Sequence, residues 1–214
     1  SSTCVDSAAA TTAAEGLVSN GVVAIMGADC SGVTGAIATN VAVPNGVVMI
    51  SPSATSPGLT DLNDNGYFFR TAPSDARGGQ ILADITKDRK VKSVAITYTN
   101  NDYGKGLADV YKAAVEAHGI KVTTVAAHED GKADYSAEVA TLASAGGDAV
   151  AVIGYIYQGG KGIIQASLDS GAFDKFILSD GMIGDSLTDN FGKALNKSFG
   201  SMPGSTGKGA GVFA

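Results

Sequence analysis

The sequence predicts an α/β fold with mostly parallel sheets flanked by helices, arranged as two lobes that face one cleft. Short apolar strands alternate with predicted helices along most of the chain, and this alternation is typical of parallel βαβ units. A polar linker containing a proline, residues 71–75, interrupts the alternation and marks a first candidate crossing between lobes. Several predicted strands are followed directly by hydroxyl, tyrosine or carboxylate side chains. Because open α/β sheets bind ligands at this carboxyl edge, we expect a ligand-binding cleft between two such edges.

The composition fits a globular chain and excludes several functional classes. The chain has 214 residues, of which 44% are hydrophobic and 17% charged, which is enough for one large or two small domains with their own cores. No apolar run reaches the length of a transmembrane helix, so direct membrane insertion is not expected. The net charge of -6 argues against nucleic acid as a partner, because proteins that bind it usually present a basic surface.

The first predicted lobe comprises residues 1–72. Its predicted elements are helices at residues 8–19 and 33–40 and strands at residues 22–26, 46–50 and 67–70. The first helix is rich in alanine and ends before an Asn-Gly pair, which commonly stops helices. The chain opens inside this helix without a signal peptide and ends in a glycine-rich stretch, so we expect both ends to lie within a longer protein.

The second predicted lobe comprises residues 73–188, and residues 189–214 are expected to return towards the first lobe. Its predicted elements are helices at residues 75–87, 106–118, 134–145 and 158–170 and strands at residues 93–98, 121–126, 149–153 and 175–178. Right-handed crossovers between parallel strands place all strand carboxyl ends on one edge of the sheet. The residues that follow the strands should therefore meet there.

Hydroxyl side chains follow two strands of the first lobe. Ser53 and Thr55 lie in a Ser/Thr/Pro stretch after the strand at residues 46–50, where two prolines stiffen the backbone and disfavour helix. Ser31 lies between the strand at residues 22–26 and the next helix, a position that suits an anion. Ser31 as a simple helix cap fits the same pattern, and the Ser/Thr/Pro stretch also fits a plain strand-to-loop exit.

Two tyrosines and a carboxylate follow strands of the second lobe. Tyr103 and Tyr155 would supply apolar walls with polar tips, and Asp180 would suit an ammonium group. Packing alone would also explain each tyrosine, and the Ser-Asp-Gly sequence around Asp180 is typical of a turn. Together with the hydroxyls of the first lobe, these residues predict a zwitterionic or small polar ligand.

Signals for catalysis, metals and cofactors are poor. Cys4 and Cys30 fit either two buried thiols or one disulfide of an exported protein, and the lack of a CxxC motif argues against a metal site. His118 and His128 are predicted to be solvated rather than catalytic. No nucleophile elbow, P-loop or dinucleotide fingerprint is present in the sequence, so we expect no enzyme activity and no cofactor.

Four short segments occur in a distinctive order and spacing. They are GADCS at residues 27–31, ISPSAT at residues 50–55, FRT at residues 69–71 and DYGKG at residues 102–106. On these segments the chain resembles the periplasmic solute-binding proteins of branched-chain amino acid ABC transporters, the Leu/Ile/Val-binding type. The resemblance runs from about residue 4 to about residue 203. It implies a two-lobed periplasmic-binding-protein-like fold whose first lobe is incomplete, because the family begins with a strand–helix–strand unit absent here.

The resemblance also implies ligand-binding roles for six residues. They are Ser31, Ser53, Thr55, Tyr103, Tyr155 and Asp180. The three hydroxyl residues match first-lobe positions that hold the carboxylate and amine of an amino acid, and the two tyrosines match positions that close over it. Asp180 falls where the family pairs an acidic residue with the α-ammonium, although close relatives often have the longer glutamate.

The function implied by the resemblance is periplasmic, extracytoplasmic capture of an amino acid-like small molecule. The two lobes would close on the ligand and deliver it to the membrane permease of an ABC transporter. Cys4 and Cys30 match a cysteine pair that forms a disulfide in close relatives. A ligand-sensing regulator or receptor domain on the same scaffold is the alternative, because one fold serves several functions. A Cys4–Cys30 disulfide would favour transport over a cytosolic regulator.

Overall fold

Two parallel sheets organise the computed structural model, which describes Cys4 and residues 6–204. One sheet has three strands in the order β1-β2-β3, and the other has five in the order β5-β4-β6-β7-β8. Every strand pair in them is parallel. The predicted α/β class with parallel sheets flanked by helices is therefore confirmed. We call the part built on the three-stranded sheet the first lobe and the part built on the five-stranded sheet the second lobe.

The first lobe follows its apolar pattern. Its elements are α1 (Ser7–Ser19), β1 (Ala24–Met26), α2 (Ser31–Ile37), β2 (Val48–Ser51) and β3 (Phe68–Arg70). Side chains alternate across this sheet, so that Met49 is fully buried in the core whereas Met26 and Phe69 are exposed on the other face. Within the described residues this lobe covers only one face of its sheet, as expected for an incomplete lobe.

The second lobe is a sheet with helices on both faces. Its elements are α3 (Asp75–Asp88), β4 (Ser93–Thr99), α4 (Asp102–Ala117), β5 (Lys121–His128), α5 (Ser136–Ala145), β6 (Ala149–Ile153), α6 (Lys161–Ser170), β7 (Phe176–Leu178), α7 (Asp185–Phe191) and β8 (Phe199–Gly200). All residues of the central strand β6 are buried, which explains its continuous apolar sequence. Helices α3 and α4 pack on one face and helices α5 and α6 on the other.

Helix α4 begins four residues before its predicted start. Asn101 occupies the N-cap, and its side chain accepts a hydrogen bond from the Gly104 N–H at 2.9 Å. This capping bond extends the helix back over Asp102 and Tyr103, and the Tyr103 side chain is buried. None of the helices in the described part of the chain combines the length and apolar character needed to cross a membrane.

The segment after residue 188 stays on the second lobe for longer than expected. Strand β8 pairs with β7 at the edge of the second sheet, and the Ser201 N–H donates to the Leu178 carbonyl at 3.3 Å. A two-residue strand has no periodicity from which it could have been predicted. The expected return of residues 189–214 towards the first lobe can therefore begin only after Ser201, and it stays a prediction. Residues 205–214 lie outside the described residues.

A disulfide ties the start of the described chain to the first lobe. Cys4 and Cys30 are bonded, with their Cα atoms 5.3 Å apart, which confirms the pairing implied by the resemblance. Cys30 occupies the N-cap position of α2, so the bond fixes Cys4 beside the first turn of α2. In the chain-entropy model a loop of this size contributes about 3–4 kcal/mol to stability.

Candidate functional site

A cavity of about 170 Å³ lies where the carboxyl edges of the two sheets face each other. Its lining includes all six residues predicted to bind ligand, together with Asp29, Cys30 and Gly181. The first lobe contributes the three hydroxyl residues, and the second lobe contributes the two tyrosines and Asp180. The structure therefore brings together residues that are distant in the sequence, although their roles towards a ligand stay predictions.

The first-lobe wall is held by hydrogen bonds between its own loops. Ser31 is buried, and its Oγ accepts the Ser56 N–H at 3.1 Å. Ser53 Oγ donates to the Asp29 carbonyl at 3.0 Å. Because Cys30 holds the N-cap of α2, Ser31 does not act as the simple helix cap that the sequence also allowed. Its hydroxyl joins two loops of the wall and keeps a proton to donate.

Arg70 anchors the loop that carries Thr55. One guanidinium nitrogen, Nη1, donates to the carbonyls of Ala54 at 3.2 Å and Ser56 at 2.8 Å, and Nη2 donates to Thr60 Oγ1 at 2.6 Å. The planar fork of arginine suits such multiple contacts. In the sequence, Arg70 was noted only as part of the FRT segment that carries the family resemblance. Its contacts could not be predicted there, because they join β3 to a loop 10 to 16 residues earlier.

The second-lobe wall consists of stacked tyrosines and one carboxylate. The rings of Tyr103 and Tyr155 stack with centroids 5.1 Å apart. The Tyr103 hydroxyl donates to Asp180 Oδ1 at 2.6 Å and lies 3.1 Å from Ser179 Oγ. Burial, and then the charge of Asp180, hold the pKa of Tyr103 well above its usual value. Burial likewise raises the pKa of Tyr155 to about 12. Both phenols are therefore protonated at neutral pH and can donate hydrogen bonds.

Gly181 permits the close approach of three segments at this wall. A Cβ atom at Gly181 would lie 2.4 Å from the Gly154 carbonyl oxygen and 3.1 Å from the Tyr103 hydroxyl. A larger residue would push the β6 and β7 edges apart and move Tyr103 away from Asp180. The Ser-Asp-Gly sequence is thus a turn, as its composition indicates, and also the support of the carboxylate.

Asp75 is a second carboxyl at the junction of the lobes, and sequence reasoning did not place it in the site. It begins α3 and is 6% exposed, and its Oδ2 has no hydrogen-bond partner among the described residues. Burial, opposed by Thr55 and Arg70 and reinforced by the nearby charge of Asp180, raises the pKa of Asp75 to about 7. A cation held between Asp75 and Asp180 would relieve the repulsion between them. The sequence pattern indicates only a linker and a helix start at this position.

The two histidines differ in their burial. His118 lies 2.7 Å from an Asp84 carboxylate oxygen at the protein surface. The prediction that His128 is solvated was wrong: it is 1% exposed, and its Nδ1 lies 2.8 Å from Thr97 Oγ1. Burial lowers the pKa of His128 to about 4. Within the described residues, no three His, Cys, Asp or Glu side chains gather in a way that could hold a metal ion.

A protein family model matches the part of the chain that contains this cavity. The family model described as "Receptor family ligand binding region" matches residues 1–208. The chain belongs to this family. The description of the family as a ligand binding region agrees with the cavity between the two lobes.

Two curated relatives of this family member carry amino acids in their names. The chain is 39% identical over 144 residues to the Leu/Ile/Val-binding protein homolog 3 of Brucella melitensis, covering 64% of this chain and 39% of that protein. It is 32% identical over 190 residues to the leucine-, isoleucine-, valine-, threonine- and alanine-binding protein of Pseudomonas aeruginosa, covering 87% of this chain and 50% of that protein. The chain thus spans half or less of the length of these relatives.

Two solved structures are similar to the family member in fold. One is the branched-chain amino acid transporter substrate binding protein LivJ from Streptococcus pneumoniae in complex with isoleucine, with 26% identity, a TM-score of 0.78 and coverage of 98% of this chain and 60% of that chain. The other is the leucine binding protein LivK from Thermotoga maritima, with 26% identity, a TM-score of 0.76 and coverage of 89% and 54%. These neighbours support a two-lobed fold of the periplasmic-binding-protein type. This chain covers 54% and 60% of their length.

Proposed function

We propose that this chain is the ligand-binding part of an extracytoplasmic solute-binding protein. It captures an amino acid between its two lobes and delivers it to the membrane permease of an ABC transporter. The observation that carries this proposal is the cavity between the lobes, which has hydroxyl donors on one wall and a carboxylate with phenol donors on the other. These two chemistries match the two charged ends of a zwitterion.

The first-lobe wall suits the carboxylate of the ligand. Ser31, Ser53 and Thr55 line the cavity with hydroxyl residues, and hydrogen bonds to a charged group are stronger than those between neutral groups. Thr55 also fixes the lobe junction, because its carbonyl accepts the Asp75 N–H at 2.9 Å. Closure around the carboxylate removes water, so each of its oxygens must find such a donor.

The second-lobe wall suits the ammonium of the ligand. The Asp180 carboxylate is oriented by the Tyr103 hydroxyl and lines the cavity. Asp75 does not line this cavity, but it is close enough to Asp180 for the two carboxyl groups to interact. The stacked rings of Tyr103 and Tyr155 offer apolar surface to the rest of the ligand. Hinge closure around a ligand is the motion that periplasmic binding proteins use to assemble such contacts.

A branched-chain amino acid is the ligand class best supported by the relatives. The Brucella protein is named for leucine, isoleucine and valine, and the Streptococcus protein was solved with isoleucine. The Pseudomonas protein extends this range in its name to threonine and alanine. The same names support transport over a sensing role, and the Cys4–Cys30 disulfide agrees with a periplasmic location.

The test is calorimetric titration of the full-length, ligand-stripped protein with leucine, isoleucine and valine. Binding of one equivalent is expected, and Asp180→Ala should weaken it by about 2–5 kcal/mol, as for the loss of one member of a buried charge pair. Asp185→Ala removes the same charge from an exposed position outside the cavity and serves as the control. Binding of 4-methylpentanoate, which lacks the amine, with an affinity equal to that of leucine would contradict the ammonium assignment.

A further inference from the structure

We infer that the first two turns of α4 form a closure contact with the first lobe, which sets ligand affinity although it does not touch the ligand. This inference rests on the proposed function. The contact joins Asp102 and Gly106 of the second lobe to Gly32, Ser56 and Pro57 of the first. A cavity of about 350 Å³, separate from the ligand cavity, lies beside this contact.

Gly106 is where the two lobes approach most tightly in this contact. A Cβ atom there would lie 3.0 Å from both Pro57 Cδ and Ser56 Oγ, which is closer than ordinary van der Waals contact. Glycine inside a helix is less favourable than alanine, so its presence in α4 calls for a compensating reason. The close approach of the first lobe supplies that reason.

Asp102 makes the second part of the contact, one turn earlier in α4. Its Oδ2 would lie 3.3 Å from a Cβ atom at Gly32, at the start of α2. Asp102 is an exposed side chain, so it can move aside where the Gly106 backbone cannot. A methyl group added at Gly106 should therefore have a larger effect than one added at Gly32, which would meet Asp102.

One hydrogen bond links the closure contact to the wall of the ligand cavity. The Ser56 hydroxyl would lie against a Cβ atom at Gly106. The Ser56 N–H donates to Ser31 Oγ at 3.1 Å. Ser31 lines both the ligand cavity and the cavity beside the closure contact. A displacement of Ser56 by α4 would thus move the wall that is proposed to hold the ligand carboxylate.

The energetic consequence follows from the closure equilibrium. When only the closed form binds well, the apparent dissociation constant equals the intrinsic one divided by the closed fraction. An added methyl group at Gly106 keeps the lobes apart and lowers that fraction. The same methyl group favours α4 itself, because alanine is the better helix former. Affinity and the stability of the ligand-free protein should therefore change in opposite directions.

The experiment compares Gly106→Ala with Gly32→Ala in the full-length protein. Gly16→Ala is the matched control, because a methyl group at that helical glycine would meet no atom within 4 Å. For Gly106→Ala we expect leucine affinity to fall about tenfold, the effect of a modest overpacking strain. Small-angle scattering should show a larger radius of gyration than in the wild type, and the ligand-free melting temperature should not fall. Gly32→Ala should lose less affinity.

A double variant separates a closure defect from a folding defect. Ser56→Ala removes one of the two atoms that would lie 3.0 Å from the added methyl group of Gly106→Ala, while it retains the N–H that binds Ser31. Gly106→Ala combined with Ser56→Ala should therefore recover part of the affinity. Wild-type affinity and an unchanged radius in Gly106→Ala would overturn the inference. If the wild type bound no amino acid, the proposed function would fail, and the scattering comparison would still decide whether Gly106 holds the lobes together.

Discussion

The two walls of the cavity are built on different principles. The first-lobe wall consists of loops whose hydroxyls bind neighbouring backbone groups, and Arg70 holds one of these loops from behind. The second-lobe wall consists of buried side chains, in which Tyr103 stacks on Tyr155 and orients Asp180. A wall of several similar neutral donors should tolerate the loss of one. A wall with one oriented charge should not, and single substitutions can test this contrast.

Asp75 lies at the junction of the lobes, where its N–H donates to the carbonyl of Thr55 in the first-lobe wall, and should show the largest effect. Its pKa is raised from 3.8 to about 7, so between these values the folded protein retains a proton that the unfolded chain has lost. The stability that this proton confers is therefore present below the lower value and is lost as the pH rises towards the upper one. Asp75→Asn should abolish this loss and stabilise the ligand-free protein above pH 7 by up to about 4 kcal/mol.

Chemical denaturation of the ligand-free protein at a series of pH values measures this difference. Asp75→Asn leaves Arg70 and Asp180, the charged groups coupled to Asp75, in place. Asp88→Asn, at the exposed far end of the same helix, is the control and should leave the profile unchanged. A constant difference between Asp75→Asn and the wild type from about pH 4 to about pH 8 would contradict the raised pKa.

Arg70→Ala should damage the first-lobe wall more than the loss of any of its hydroxyls. The substitution leaves the carbonyls of Ala54 and Ser56 without their cationic donor, and each uncompensated group costs about 1–3 kcal/mol. We expect a loss of about 2–3 kcal/mol in both stability and leucine binding, measured by denaturation and calorimetry. Arg77→Ala, which removes an exposed cation bonded to Gln80, is the control. Equal effects of the two variants would show that Arg70 does not hold the loop.

Tyr103→Phe tests the oriented charge of the second-lobe wall. It keeps the ring stack but removes the hydroxyl that donates to Asp180, and a hydrogen bond to a charged group contributes about 1.5–3 kcal/mol. Leucine binding should weaken towards the lower end of this range, because a bound ammonium can itself pair with Asp180. Tyr155→Phe leaves the hydrogen bond from Tyr103 to Asp180 in place, so it should weaken binding less. The reverse order in calorimetry would assign the orienting role to Tyr155.

The comparison of the walls also shows how far sequence reasoning extends. Local patterns predicted the buried strand β6 and placed Ser31, Thr55 and Asp180 at strand ends. This was possible because the residues adjacent in the sequence determine where a strand runs and where it ends. Arg70 and Asp75 were missed as site residues for the opposite reason. The partners of Arg70 lie on another loop, and the raised pKa of Asp75 depends on burial and on Asp180, which is distant in the sequence. Only tertiary packing reveals such partners.

Ser53→Ala should have the smallest effect and completes the contrast. Ser53 is exposed, and its hydroxyl donates to the Asp29 carbonyl, which water can satisfy when the hydroxyl is removed. With Ser31 and Thr55 still present, we expect leucine binding to weaken by less than about 1 kcal/mol. Thr55→Val is the matched comparison, because it removes a hydroxyl from a buried position of the same wall. A larger loss for Ser53→Ala than for Tyr103→Phe would mean that the ligand depends on one hydroxyl of the first-lobe wall, and the contrast between shared and single contacts would fail.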